Sequence, residues 1–136
     1  MRENGRRNDQ LRPVAIVPEY VDLPAGSALI TMGKTRVLCT ASVEERVPAW
    51  LHKSQLKQRK KSGWVTGEYS ILPGAGTSRT PRASSTGRKS GRTFEIQRLI
   101  GRSLRAVTDL SRLGPRTVWI DCDVLQADGG TRTAAV

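Results

Sequence analysis

The run Ala127-Asp128-Gly129-Gly130-Thr131-Arg132 combines three residue types that can hold a small oxyanion. Glycines let backbone N–H groups converge on one point, a threonine hydroxyl adds a donor, and a guanidinium presents a planar fork of donors suited to phosphate. Just upstream, Val118, Ile120, Cys122 and Val124 stand two apart, the period of a strand with one apolar face. A strand that runs into a glycine turn leaves Thr131 and Arg132 at its end. A helix beginning at Thr133 would point its positive end at the same place. Plain structural turns share this composition, so the loop alone specifies no ligand.

A second segment, Gly91-Arg92-Thr93-Phe94-Glu95-Ile96-Gln97-Arg98-Leu99-Ile100-Gly101-Arg102, adds the missing specificity. Ile96, Leu99, Ile100, Val107 and Leu110 follow the three-and-four spacing of an amphipathic helix, which Leu113-Gly114-Pro115 would end. Arg98, Arg102 and Arg105 form a separate basic line along it. Arg92 falls in the first turn, where helix dipole and guanidinium would act together on an anion.

With these blocks in view, the chain resembles the ribonuclease PH family of phosphate-dependent exoribonucleases. The likeness is carried by Gly5-Arg6, Asp9-Gln10-Leu11-Arg12-Pro13, Cys39-Thr40-Ala41-Ser42-Val43-Glu44, Gly63-Trp64-Val65-Thr66, the Gly91 to Arg102 run, and Asp121 to Ala134. The resemblance implies an α+β fold with a mixed or antiparallel sheet and packed helices, related to ribosomal protein S5 domain 2. It also implies that Arg92, Gly130, Thr131 and Arg132 hold the attacking phosphate. That phosphate is the co-substrate; Mg2+ assists the full-length enzyme. The implied partners are transfer RNA precursors and other RNA 3′ ends, and the implied assembly is a hexameric ring of dimers. The basic stretch His52 to Ser62 looks several residues longer than is usual in the family. The family's second half, which carries the catalytic carboxylates, would lie downstream of Val136. Residues 1–136 therefore read as one incomplete domain, truncated at its C-terminal side and expected to be inactive alone. A non-catalytic RNA-binding subunit of a phosphorolytic ring is the alternative; retention of both Arg92 and Arg132 separates the two.

Charge points to a nucleic-acid partner independently. Lys and Arg total 23 against 12 acids, a net +11. Thirteen of the basic residues and only two of the acids, Glu68 and Glu95, lie between Lys53 and Arg105, so this segment carries +11 and the remaining ten basic and ten acidic residues cancel. Such concentration is the electrostatic footprint of a phosphate binder. Arg79, Arg82 and Arg88 in a Ser/Gly-rich loop, with Arg98 on the helix, are candidates to follow an RNA backbone. Lys57 to Lys61 taken alone reads as a solvated charge run. A basic ribosome-associated protein fits the charge too, and differs in showing no dependence on inorganic phosphate.

Other features are set aside. Gly33-Lys34-Thr35 has the tail of a P-loop, but Ala28 stands where its first glycine is needed, and the flanking strand patterns make it a hairpin turn. Gly74-Ala75-Gly76 begins like a dinucleotide fingerprint but meets Arg79 where glycine is required. Asp121 and Asp123 share a strand face with Asp128 nearby, as a metal site requires; a carboxylate pair is more often a surface or ion-pair feature, and no metal ligand is assigned. His52, the only histidine, sits in the basic stretch and is not taken as a base. Trp50, Trp64 and Tyr69 flank basic residues and are candidates for base stacking, although Trp64 reads more readily as core. Cys39 and Cys122 lie in apolar strand patterns and read as core thiols in a reducing compartment. No apolar run approaches the roughly twenty residues of a membrane span, and the polar start is no secretory signal, so a cytoplasmic protein is expected.

These residues need a scaffold. The pattern predicts a strand near Val14 to Val17, a hairpin of Ala28 to Met32 with Val37 to Val43, and a long mobile section from Pro48 to Gly91 interrupted by an ordered patch at Trp64 to Leu72. A helix over Thr93 to Leu113 and a strand over Thr117 to Leu125 follow.

Overall fold

The computed structural model describes residues 5–58, 61–82, 85, 87 and 90–136. In chain order the elements are β1 (Val14–Pro18), β2 (Gly26–Met32), β3 (Thr35–Glu44), α1 (Ala49–Gln58), β4 (Trp64–Ile71), α2 (Gly91–Val107), β5 (Thr117–Gln126) and α3 (Thr131–Ala135). The strands form one sheet in the order β1-β2-β3-β5-β4. All neighbours are antiparallel except β4 and β5, which are parallel. The β4–α2–β5 crossover explains this exception, since a parallel pair needs a connection long enough to carry a helix. The result is the mixed sheet with packed helices that the sequence implies.

One sheet face forms the core. Val37, Cys122, Val124 and Tyr69 meet Ile96 and Ile100 of α2 and Ala134 and Ala135 of α3. The β4–β5 register sets Gly67 beside Ile120, and the helix settles onto that glycine: a Cβ on Gly67 would lie 2.5 Å from Ile100 Cγ2. Seating the helix there selects Ile96, Ile100 and Leu104 as its inward stripe. Leu99 and Val107, placed on the apolar face from spacing, are instead 37% and 84% exposed.

Two segments differ from expectation. Residues 49–58 form α1 where a mobile section is expected. Ten consecutive residues without Gly or Pro follow Pro48, whose carbonyl accepts the Leu51 and His52 N–H groups at 2.9 Å each. Gln55 Nε2 then ties the helix to the Ser62 carbonyl at 2.7 Å. At the other end, α2 stops at Val107 instead of Leu113. Thr108 is extended and turns its hydroxyl back to the Leu104 carbonyl at 2.7 Å. Asp109 accepts the Ser111 N–H and hydroxyl, an Asx turn that competes with continued helix. The last helix also begins earlier, at Thr131 instead of Thr133.

The two thiols are directly opposite across β3 and β5. Cys39 donates to the Cys122 sulfur at 3.3 Å, and Cys122 donates to the Ala135 carbonyl at 3.5 Å. The Cys39 sulfur, and then burial, push the Cys122 thiol well up, so it packs as a protonated hydrophobe. Among the described residues, no helix is long and apolar enough to cross a membrane.

Asp121 and Asp123 project to the sheet face away from α2, because successive strand residues alternate. Burial, then Glu68 and Asp123, raise the Asp121 carboxyl above its ordinary value. A carboxyl raised in the fold contributes stability in its protonated form, present below the ordinary value of about 3.8 and lost as pH rises through the raised one. Asp121→Asn should therefore raise Tm at pH 7 by on the order of 1–2 °C. The gain should vanish near pH 3, where both forms are neutral. Thermal melts at the two pH values check this, and a lower Tm at pH 7 would contradict it. Gly67→Ala should cost about 1–3 kcal/mol by overpacking. In urea unfolding, adding Ile100→Ala should cost less than the sum of the two single changes, since it removes the clashing methyl.

Candidate anion and RNA-binding site

The loop after β5 turns on two consecutive glycines in the left-handed region, Gly129 (φ 78°) and Gly130 (φ 70°). Side chains disfavour this region, so the turn requires glycine. The loop is fixed from three sides. Thr35, fully buried at the start of β3, donates its hydroxyl to the Gly129 carbonyl at 2.6 Å and accepts the Asp128 N–H at 2.9 Å. Arg12 Nη1 donates to the Asp128 and Gly129 carbonyls at 2.7 and 3.1 Å. This guanidinium lies so close that a Cβ on Gly130 would sit 2.7 Å from Nη2. From β4, the Tyr69 hydroxyl donates to Thr131 Oγ1 at 2.9 Å, leaving the Thr131 hydrogen to donate elsewhere.

Arg132 leaves this loop toward α2. Its Nη2 donates to Glu95 Oε2 at 2.8 Å, while its Nε is buried with no hydrogen-bond partner among the described residues. A buried donor without an acceptor costs about 1–3 kcal/mol, a cost that a bound acceptor such as an anion would offset. Arg92, exposed in the first turn of α2, stands three residues before Glu95, a spacing that puts both on one helix face. The capping residue Ser90 accepts the Thr93 N–H at 3.2 Å and fixes where that turn begins. Arg92, Gly130, Thr131 and Arg132 thus come from the starts of two helices, joined through Glu95.

The other candidates are dispersed. Arg79 and Arg82 line a cleft with Leu72, Pro73, Gly74 and Leu125. Arg82 partly offsets the burial that raises the Asp123 carboxyl. Arg98 lines a groove along α2 with Gly91, Phe94, Glu95, Leu99 and Arg102, which adjoins the loop through Glu95. Arg88 lies outside the described residues. Tyr69 cannot stack on a base: it is 5% exposed, with its hydroxyl engaged by Thr131. Trp64 is half-buried beneath Arg105, whose guanidinium sits 4.2 Å above its ring. His52 belongs to a third cleft with Glu44, Glu45 and Arg46. Among the described residues, no group of three His, Cys, Asp or Glu side chains could hold a metal ion. Asp121 and Asp123 point to the opposite sheet face, and the residues around the loop do not form a Mg2+ ligand set.

Sequence reasoning did not find Arg12, Thr35, Tyr69 or Glu95 as parts of the site. Arg12 and Glu95 fall inside the quoted blocks, but Thr35 meets Asp128 across 93 residues and no local signal marks it. Thr35→Val should leave the Asp128 N–H unpaired and the Gly129 carbonyl with Arg12 alone, and cost about 1–3 kcal/mol in urea unfolding. Thr35→Ser should cost under half as much, and equal losses would show that the methyl, not the hydroxyl, matters.

Comparison with known proteins adds independent observations. Residues 10–136 match the model of the 3′ exoribonuclease family, domain 1. The chain is 57% identical to the Ribonuclease PH of Bacillus subtilis (strain 168) over all 136 residues, which cover 53% of that relative. It is 58% identical to the Ribonuclease PH of Syntrophomonas wolfei over 135 residues, 99% of this chain and 54% of the relative. It thus spans about half the length of the curated relatives it matches. In fold it is similar to a chain of the Archaeoglobus fulgidus exosome with RNA bound to the active site, with a TM-score of 0.78 and 24% identity, covering 98% of this chain and 51% of that one. Rice (Oryza sativa) Rrp46 gives 0.72 and 20%, covering 98% and 56%.

Proposed function

The chain belongs to the 3′ exoribonuclease family, and on that premise we propose that it supplies the phosphate-holding part of a phosphorolytic 3′-to-5′ exoribonuclease. The observation that carries this reading is the buried Nε of Arg132, without a hydrogen-bond partner among the described residues, on a guanidinium held by Glu95 one helical turn from Arg92. Inorganic phosphate bound by Arg92, Arg132, the Thr131 hydroxyl and the Gly130 N–H attacks the phosphorus of the 3′-terminal phosphodiester. A phosphate oxygen bonds to that phosphorus, the bond to the preceding 3′ oxygen breaks, and a nucleoside diphosphate leaves an RNA shorter by one nucleotide. Bringing a doubly charged nucleophile against another phosphate is opposed by repulsion, which two guanidiniums offset.

The substrates are transfer RNA precursors and other RNA 3′ ends in the cytoplasm, with Arg79, Arg82, Arg88 and Arg98 along the backbone path. The active form is a hexameric ring of dimers of the full-length protein. Residues 1–136 form one incomplete domain of it and do not catalyse alone. The carboxylates that assist the chemistry, and most of the Mg2+ ligands, belong to the downstream half of the full-length enzyme.

In the full-length gene product, Arg92→Ala or Arg132→Ala should lower phosphate-dependent release of nucleoside diphosphates by on the order of 100-fold or more. RNA affinity should stay within a few-fold of the parent. Nucleotide release with and without phosphate, beside an RNA-binding titration, checks this. Salt-sensitive binding with no trimming in the parent protein would favour the non-catalytic RNA-binding subunit instead.

A further inference from the structure

The helix α1 has no role in the site described above, yet it is built to present charge. Its ten residues contain no acid. Trp50, Lys53 and Lys57 stand at i, i+3 and i+7, which places them on one face, and all three are exposed. Glu44 and Glu45, which share a cleft with Ala49 and His52, are already engaged: Glu44 pairs with Arg46 at 3.0 Å and Glu45 with Arg116 at 2.8 Å. Among the described residues, neither lysine forms an ion pair.

Trp50 distinguishes this face from an ordinary solvated one. It meets Trp64 edge to face, with centroids 4.9 Å apart and planes at 87°, yet it remains 57% exposed. Trp64 is itself held by Arg105, whose Nη1 donates to the Val65 carbonyl at 2.7 Å. That guanidinium lies close over Gly101, where an added Cβ would be 2.7 Å from Nη1 and would make it shift. Gln55 anchors the far end of the helix at Ser62. A half-exposed indole held against Trp64, beside two lysines without an ion pair among the described residues, combines a stacking surface with phosphate-neutralising charge.

We propose that the Trp50-Lys53-Lys57 face of α1 is a docking platform for single-stranded RNA, binding nucleotides upstream of the 3′ end being removed. The inference rests on the exoribonuclease reading above for the identity of the polymer, and goes beyond it in adding a second contact region. Trp64 adjoins α1 and Tyr69 adjoins Thr131; these two residues, five apart on β4, are separated by roughly 16 Å along the strand. Being an odd number apart, they also face opposite sides of the sheet, so an RNA engaged at both regions must pass from one to the other, and a long RNA does so more readily than a short one.

The test uses the full-length gene product, with Trp50→Ala, Trp50→Tyr and the double change Lys53→Gln/Lys57→Gln. Fluorescence anisotropy and phosphate-dependent trimming are measured on single-stranded RNAs of about four and about twenty nucleotides. The expected result is roughly tenfold weaker binding of the long RNA by Trp50→Ala, restored by Trp50→Tyr. The lysine pair should lower the slope of log affinity against log salt by about 1.4. KM should rise on the long substrate only, with kcat and the short substrate unaffected. The lysine variant, altered only at exposed positions, stands as the test should Trp50→Ala lose structure. Unchanged long-RNA affinity and salt slope in that variant, while the parent still trims, overturns the platform alone. A parent that trims neither RNA with phosphate overturns the exoribonuclease reading, and one that binds neither RNA overturns both.

Discussion

The Thr35 hydroxyl holds the functional end of this molecule by accepting from the Asp128 N–H and donating to the Gly129 carbonyl. A single buried side chain thereby satisfies one donor and one acceptor of a loop that has left the sheet ladder. Buried main-chain polar groups need such partners, and this one comes from the strand next to the loop's own. Arg12 secures the same segment from the side, packed so close that both Gly33 and Gly130 must lack a side chain. Tyr69 then fixes Thr131 from the third strand. The position of Arg132 depends on all three. A displaced loop would pull its guanidinium from Glu95 and separate it from the first turn of α2.

Packing beneath α2 works to the same end. The glycine at 67 lets Ile100 descend onto the β4–β5 pair, and Ile96, Ile100 and Leu104 become the buried stripe. Sinking the helix there carries its N-terminal turn, with Arg92 and Glu95, toward the loop after β5. Ala134 and Ala135 join the same core, so burial of one apolar cluster sets the relation between two helix starts. Burial of apolar area is non-directional; the direction comes from the glycine and the hydrogen bonds.

Charge is partitioned by the fold. Glu95 orients Arg132, while Arg105 is spent on Trp64 and the Val65 carbonyl, where burial and then Arg102 lower its proton affinity. Lys53 and Lys57 remain outward on α1. The half-buried carboxylates Asp121 and Asp123 face the other side of the sheet, and burial raises both. The basic segment of the sequence therefore resolves into an exposed arginine at the start of α2, an arginine packed on Trp64, and lysines on α1 that form no ion pair among the described residues.

Much of the fold was legible. The hairpin around Gly33, the strand through Val118 to Val124 and the helix through Ile96 and Ile100 follow from period and turn glycine, which are properties of neighbours in the chain. The quoted blocks also contain Arg92, Gly130, Thr131 and Arg132, the residues proposed to hold phosphate. The limits of that legibility have physical causes. Helix α1 was hidden because a charge run resembles a solvated loop until Trp50 finds Trp64 and Gln55 finds Ser62. The end of α2 depended on whether Asp109 would close an Asx turn. Local sequence determined which segments are strands and helices and which residues suit an anion, because those preferences act over a few residues. Only the tertiary structure decided that Thr35, Arg12 and Tyr69 support the loop and that Glu95 aligns Arg132. Those contacts join residues 37 to 117 positions apart, which come within hydrogen-bond reach only after the sheet has paired and α2 has packed upon it.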